Sequence, residues 1–89
     1  MASSPTYRLE WRKSVKKDLR KIPGREVAKI VATAAGLASD PFPHGAVKLT
    51  GSEHVWRVRV GDYRVIYEVF TTIRLVGIDR VKHRKDVYR

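Results

Sequence analysis

The sequence contains no cysteine. Disulfides, thiolate metal ligands and cysteine nucleophiles are excluded together. Acidic residues are scarce: nine Asp and Glu stand against nineteen Lys and Arg, for a formal charge of +10. No apolar run approaches the ~20 residues that a membrane-spanning helix needs. The opening "MASSPTY" lacks the apolar core of a secretory signal. Internal repeats and low-complexity tracts are also missing. At 89 residues there is no room for a second core. These absences lead to the expectation of one soluble cytoplasmic domain of modest stability, spanning 7–89 behind a flexible N-terminus at 1–6.

What is present is positive charge. A chain this basic attracts phosphate backbones, acidic protein segments or anionic lipid. Acidic residues would keep a surface soluble equally well, so solubility alone does not call for the imbalance. Nucleic acid leads the partner classes.

The apolar pattern divides the chain. In "TYRLEW" Tyr7, Leu9 and Trp11 alternate with Arg8 and Glu10, the period of a strand. In "RKSVKKDLRKI" Val15, Leu19 and Ile22 form one helical stripe, with Lys13, Lys16, Lys17, Arg20 and Lys21 on the wetter faces. Pro23-Gly24 interrupts, and a second helix carries Val27, Ile30, Val31, Ala34, Leu37 and Ala38 towards "SDPFP". The short link predicts a helix hairpin. A loop from Asp40 to about Glu53 follows. Then "VWRVRV", "YRVIYEVF" and "IRLVGIDRV" read as three strands. The expected fold is α+β, a single β-α-α-β-β-β domain whose helix hairpin packs on a mostly antiparallel sheet.

Taking Gly61-Asp62 as a two-residue turn sorts the side chains. Val60 then faces Tyr63, Arg59 faces Arg64, Val58 faces Val65 and Trp56 faces Tyr67. Facing residues share a side of the sheet. One side is an apolar core. The other carries Arg57, Arg59 and Arg64, with Ile66, Glu68 and Phe70 further along. Opposed like charges destabilise a sheet, and Lys or Thr would serve a merely solvated face. The cluster therefore reads as an anion site, for which arginine supplies permanent charge and bidentate contacts. With Thr71-Thr72 as the next turn, Asp79 falls opposite Arg64. The tail "HRKDVYR", with His83 and Tyr88, then lands beside the arginines.

The order of elements, with "KLTG", "WRVRVGDYRVIYEV" and "HRKDVYR", resembles the RelE-type toxins of bacterial and archaeal toxin–antitoxin systems, within the RelE/ParE superfamily. The resemblance runs from Tyr7 to Arg89. It implies an mRNA endonuclease that cuts codons in the ribosomal A site, and a cognate antitoxin that neutralises it by wrapping it. The antitoxin should be acidic where it touches this chain. The implied catalytic residues are Arg57 and Arg59, where the family often has lysine, then Arg64, then His83 at the head of the C-terminal motif and Tyr88 at its close. Lys48, Lys82 and Arg84 join the first-helix cations Lys13, Lys16, Lys17, Arg20 and Lys21 as RNA-binding candidates.

Metal-free RNA cleavage needs a base for the 2′-OH, cations for the pentacovalent phosphorane and an acid for the 5′-oxygen. Arginine stays protonated and cannot take a proton, which moves acid–base work to His83 or to another ionisable group that the sequence does not place. Three scattered histidines with no carboxylate motif make no ligand set, so neither metal nor cofactor is expected. His44 and His54 read as loop residues without a catalytic task, and Glu68 as a counter-charge ahead of a general base. Two other readings stay open: a ParE-like toxin that binds DNA gyrase and cuts nothing, and a non-catalytic basic module for RNA or an acidic protein.

Overall fold

The computed structural model describes residues 6–87. The expected flexible stretch, apart from Thr6, and the candidate Tyr88 lie outside the described residues. In chain order the elements are β1 (Arg8–Trp11), α1 (Lys13–Arg20), α2 (Gly24–Gly36), β2 (Val47–Lys48), β3 (Val55–Val60), β4 (Tyr63–Phe70), β5 (Leu75–His83) and α3 (Arg84–Val87). The α+β class and the order of the expected elements hold, and two short elements are added, the strand β2 and the helix α3. The five strands lie in the order β1-β5-β4-β3-β2. β1 runs parallel to β5, and the remaining pairs are antiparallel.

Period-two alternation gives the sheet one apolar face, and the stripes of both helices close on it, except that Val31, expected in the second stripe, is exposed. Val15 of α1 and Ile30 and Ala34 of α2 join Val58, Val65, Tyr67, Val69, Val76, Ile78 and Val81 in one core. Leu37, just past α2, completes it. Tyr67 is fully buried, and its hydroxyl donates to the Pro41 carbonyl at 2.8 Å. Burial, reinforced by the Asp40 carboxylate, pushes its phenol up to about 12. It thus stays neutral and anchors the proline-rich loop.

The β3–β4 turn is the expected one. Val60 pairs with Tyr63, and Gly61 has φ 58°. Positive φ at the first central residue alone is the type II′ pattern, for which glycine has no steric cost.

The β4–β5 connection differs from expectation. Phe70 pairs with Leu75, so residues 71–74 form a four-residue loop and Thr71-Thr72 is not a tight turn. Such turns need positive φ, which β-branched threonine resists. Arg74 takes that conformation instead, at φ 51°. Further along, Tyr67 pairs with Ile78 but Ile66 with Arg80, leaving Asp79 as the extra residue of a bulge. The longer loop and the bulge together move the partner of Arg64 from the expected Asp79 to Lys82.

β1 pairs with β5 only as far as Ile78. Beyond it, α1 takes over the exposed strand edge. Ser14 Oγ donates to the Asp79 carbonyl at 2.7 Å, and the Asp18 carboxylate accepts the Val81 N–H at 2.8 Å. Arg80 donates to the same carboxylate at 2.9 and 3.1 Å. Burial alone would raise the Asp18 carboxyl, but the Arg80 bonds and the Val81 N–H outweigh it and hold the group below its ordinary value.

Candidate active site

Alternation along β3, β4 and β5 puts Arg57, Arg59, Arg64 and Lys82 on the face turned away from the helices. Arg59 lies directly across from Arg64, and Arg64 across from Lys82. One row of three cations therefore crosses three adjacent strands, spanning roughly 10 Å at the ordinary strand spacing. Arg57 flanks the row one step up β3, opposite Ile66.

The opposed arginines are held by the turn beside them. Arg59 Nε donates to the Gly61 carbonyl at 3.1 Å. Arg64 Nη1 reaches the same oxygen at 3.4 Å and the Tyr63 carbonyl at 3.1 Å. A shared acceptor partly offsets the repulsion and fixes both guanidinium groups at the sheet's end. No carboxylate within 4.0 Å neutralises Arg59, Arg64 or Lys82 among the described residues. Such a row can bind a phosphate and stabilise charge that develops on its oxygens.

The tail does reach this end of the sheet. The Arg84 N–H donates to the Asp62 carbonyl at 2.7 Å, and Arg84 Nε lies 3.8 Å from the Asp62 carboxylate. His83, however, pairs with Tyr63 and projects to the helix side, not to the arginine face. Its ring meets the Tyr63 ring edge-on at 5.4 Å between centroids. Its Nδ1 accepts the Lys85 N–H at 3.2 Å, which places the ring proton of the neutral imidazole on Nε2. On the arginine face the structure sets Lys82 beside Arg64, while His83, expected to land by the arginines, lies on the other face. The cause is the bulge, which turns the end of β5 over by one residue.

The other RNA-binding candidates lie elsewhere. Lys48 faces Trp56 on the helix side of the sheet. Lys13, Lys16, Lys17, Arg20 and Lys21 are exposed along α1 and beyond its end, forming a separate basic surface at the β5 edge. His54 packs its ring on Phe70 at 4.7 Å, and His44 is exposed in the loop.

Sequence reasoning missed a cluster built around Arg12. Its guanidinium pairs with Glu10, with Glu68 at 3.5 Å and with Asp79 at 3.3 Å. It lies flat over Gly77, where an added Cβ would come within 2.7 Å of Nη2. Burial, followed by the Glu68 charge, pushes the Asp79 carboxyl up against the pull of Arg12. Glu68 is thus a counter-charge, as expected, but to Arg12. Only the β1–β5 pairing and the bulge assemble this group, and neither leaves a local signal in the sequence.

Comparison with known proteins agrees with this fold. The profile of the ParE toxin family of type II toxin–antitoxin systems, parDE, matches residues 9–88. A putative toxin RelE1 of Methanocaldococcus jannaschii is 31% identical over 93% of this chain and 96% of its own. Toxin RelG of Mycobacterium tuberculosis is 32% identical over 93% and 97%. Among solved structures, the archaeal RelE–RelB complex from Pyrococcus horikoshii superposes with a TM-score of 0.79 at 32% identity, covering 89% of this chain and 96% of that one. The RelBE2 toxin–antitoxin complex of Mycobacterium tuberculosis gives 0.78 at 28% identity, covering 89% and 99%. The chain belongs to the RelE/ParE superfamily of type II toxins, as a RelE-type toxin. No helix among the described residues is long and apolar enough to cross a membrane.

Proposed function

We propose that this toxin is an endoribonuclease that cuts mRNA on the cytoplasmic ribosome by attack of the 2′-OH on the adjacent phosphate. The observation that supports it is the row Arg59–Arg64–Lys82, three cations aligned across neighbouring strands and fixed at one end by the Gly61 carbonyl. A module that only binds needs positive charge but no such alignment. Arg59 and Arg64 hold the scissile phosphate and stabilise the phosphorane oxygens, with Arg57 extending the contact to the neighbouring phosphate. Lys82 is the ionisable member of the row. It donates its proton to the departing 5′-oxygen, a task arginine performs poorly, while the proton of the attacking 2′-OH passes to solvent water. Tyr88 follows α3, which the Arg84–Asp62 contacts tie to the same turn, and is assigned to the 2′-OH or a base. The chain's own cations carry the charge that a metal would otherwise carry.

The Pyrococcus and Mycobacterium neighbours are complexes of toxin with antitoxin. By the same reasoning this chain forms a heteromeric complex with a cognate antitoxin, acidic where it touches the +10 surface.

The test is a translating extract to which the purified protein is added, with mRNA 5′ ends mapped. New ends within codons are expected, and Arg64→Ala should lower their rate about a hundredfold or more. Lys82→Ala should cost at least about tenfold and His83→Ala far less. The opposite ranking would return the acid–base role to His83. Intact mRNA with inhibited DNA supercoiling would identify a gyrase poison instead. Intact mRNA with supercoiling and translation both unaffected would leave a binding module.

A further inference from the structure

A cleft of about 460 Å³ opens at the end of β5, on the helix side of the sheet, around the strand end from the arginine row. Ile22, Tyr63 and His83 give it apolar and aromatic walls, Lys21 and Lys82 bring positive charge to its rim, and Asp86 lines it from α3. Its volume suits one nucleotide. Lys82 borders both this cleft and the arginine row. A strand of RNA bound across the row therefore reaches the cleft by passing around the end of a single strand.

The polar groups narrow the ligand. Asp18 and Arg80 also border the cleft but satisfy each other. Asp86 has no hydrogen-bond or ion-pair partner among the described residues. The carboxylates disfavour an acidic peptide here. They favour a group that offers N–H donors. Among the four RNA bases only guanine presents two adjacent N–H donors, N1–H and N2–H, to a carboxylate. The Lys85 hydrogen bond leaves His83 with its proton on Nε2, a donor matched to the guanine O6.

We propose that this cleft is a nucleotide subsite, which takes one base of the bound RNA against Tyr63 and His83 and selects guanine through Asp86. The proposal deepens the reading of the chain as an RNA-cutting toxin and rests on it for the source of the nucleotide. The lysines at the rim take the phosphate, and the aromatic pair supplies a sequence-tolerant stacking surface. Selectivity resides in the carboxylate.

Amide spectra of the full chain titrated separately with 5′-GMP, 5′-AMP, 5′-CMP and 5′-UMP test this without requiring cleavage. The expected result is shifts at Tyr63, His83 and Lys85, with GMP binding about fivefold tighter than CMP, the discrimination of one charge-assisted contact. Asp86→Asn, at an exposed position, should level the four affinities while leaving amide positions in the core unchanged. Equal affinities for the four nucleotides in the parent protein would reduce the cleft to a phosphate site and overturn the assignment. Shifts confined to Arg59 and Arg64 would also overturn it. GMP selectivity in a protein that leaves mRNA intact would sustain the subsite and remove the nuclease reading. Cleavage without nucleotide selectivity would do the reverse.

Discussion

Arginine at 57, 59 and 64 makes the face a fixed positive surface at any working pH, so the proton proposed to move in this row is that of Lys82. Lys82→Arg keeps the charge of the row and removes the proton donor. It should preserve RNA binding within about twofold while lowering cleavage about tenfold or more, read as a fall in kcat with KM held. A different residue carries the clearest local strain. Arg74 adopts a left-handed conformation at φ 51°, on an exposed loop. Arg74→Gly removes a cost of roughly 1–2 kcal/mol and adds back some chain entropy in the unfolded state. A net gain of about 0.5–1 kcal/mol is expected in urea unfolding. The sequence marks Gly61 as a turn residue because glycine at that position has one job. It does not mark Arg74, because nothing in an arginine announces a positive φ.

Two carboxylates act in opposite directions on the sheet's β5 strand. Asp18 closes the strand edge, and its folded value lies below the ordinary one. Its stabilisation is present above about pH 4 and is lost as the pH falls through the folded value. Asp18→Asn should therefore cost about 1–3 kcal/mol at pH 7, with the gap to the parent closing in acid. Burial, then the Glu68 charge, raises Asp79, so the unfolded chain loses that proton first and stability falls as pH rises from about 4 through the folded value. Asp79→Asn should thus gain on the parent as pH rises across that range, and chemical denaturation at about pH 2–3, pH 4 and pH 7 reads both signs, the acid step for Asp18 and the upper step for Asp79. The core-forming elements were legible from period alone: the β3–β4 hairpin, its register and the two helix stripes follow from Val, Ile, Leu and Tyr positions. Beside them, β2 spans only Val47–Lys48, too short for alternation to appear. The insertion of β5 between β1 and β4 was hidden because a parallel pairing connects residues far apart in the chain. Hence the arginine pair could be read beforehand, while the Lys82 neighbour and the Arg12 cluster could not.

As a whole the molecule offers two basic surfaces, the arginine row on the open face and the exposed stripe of α1 at the sheet's edge. On a ribosome the first would meet mRNA and the second rRNA backbone. Changing Lys13, Lys16 and Lys17 to Gln should weaken ribosome association and flatten its salt dependence, by roughly 0.7 in the log–log slope for each single-stranded phosphate that is no longer neutralised. Thermal unfolding should barely change, since all three side chains are exposed. Both surfaces depend on β5 presenting the correct side after its bulge. Losing one residue elsewhere in β5 would exchange inside for outside over the rest of the strand. Losing Asp79 would instead leave Ile78 and Arg80 as successive partners of Tyr67 and Ile66, an uninterrupted ladder with Lys82 still beside Arg64. The bulge is thus the point in this sheet where lineages can gain or lose a codon and keep the same working surface.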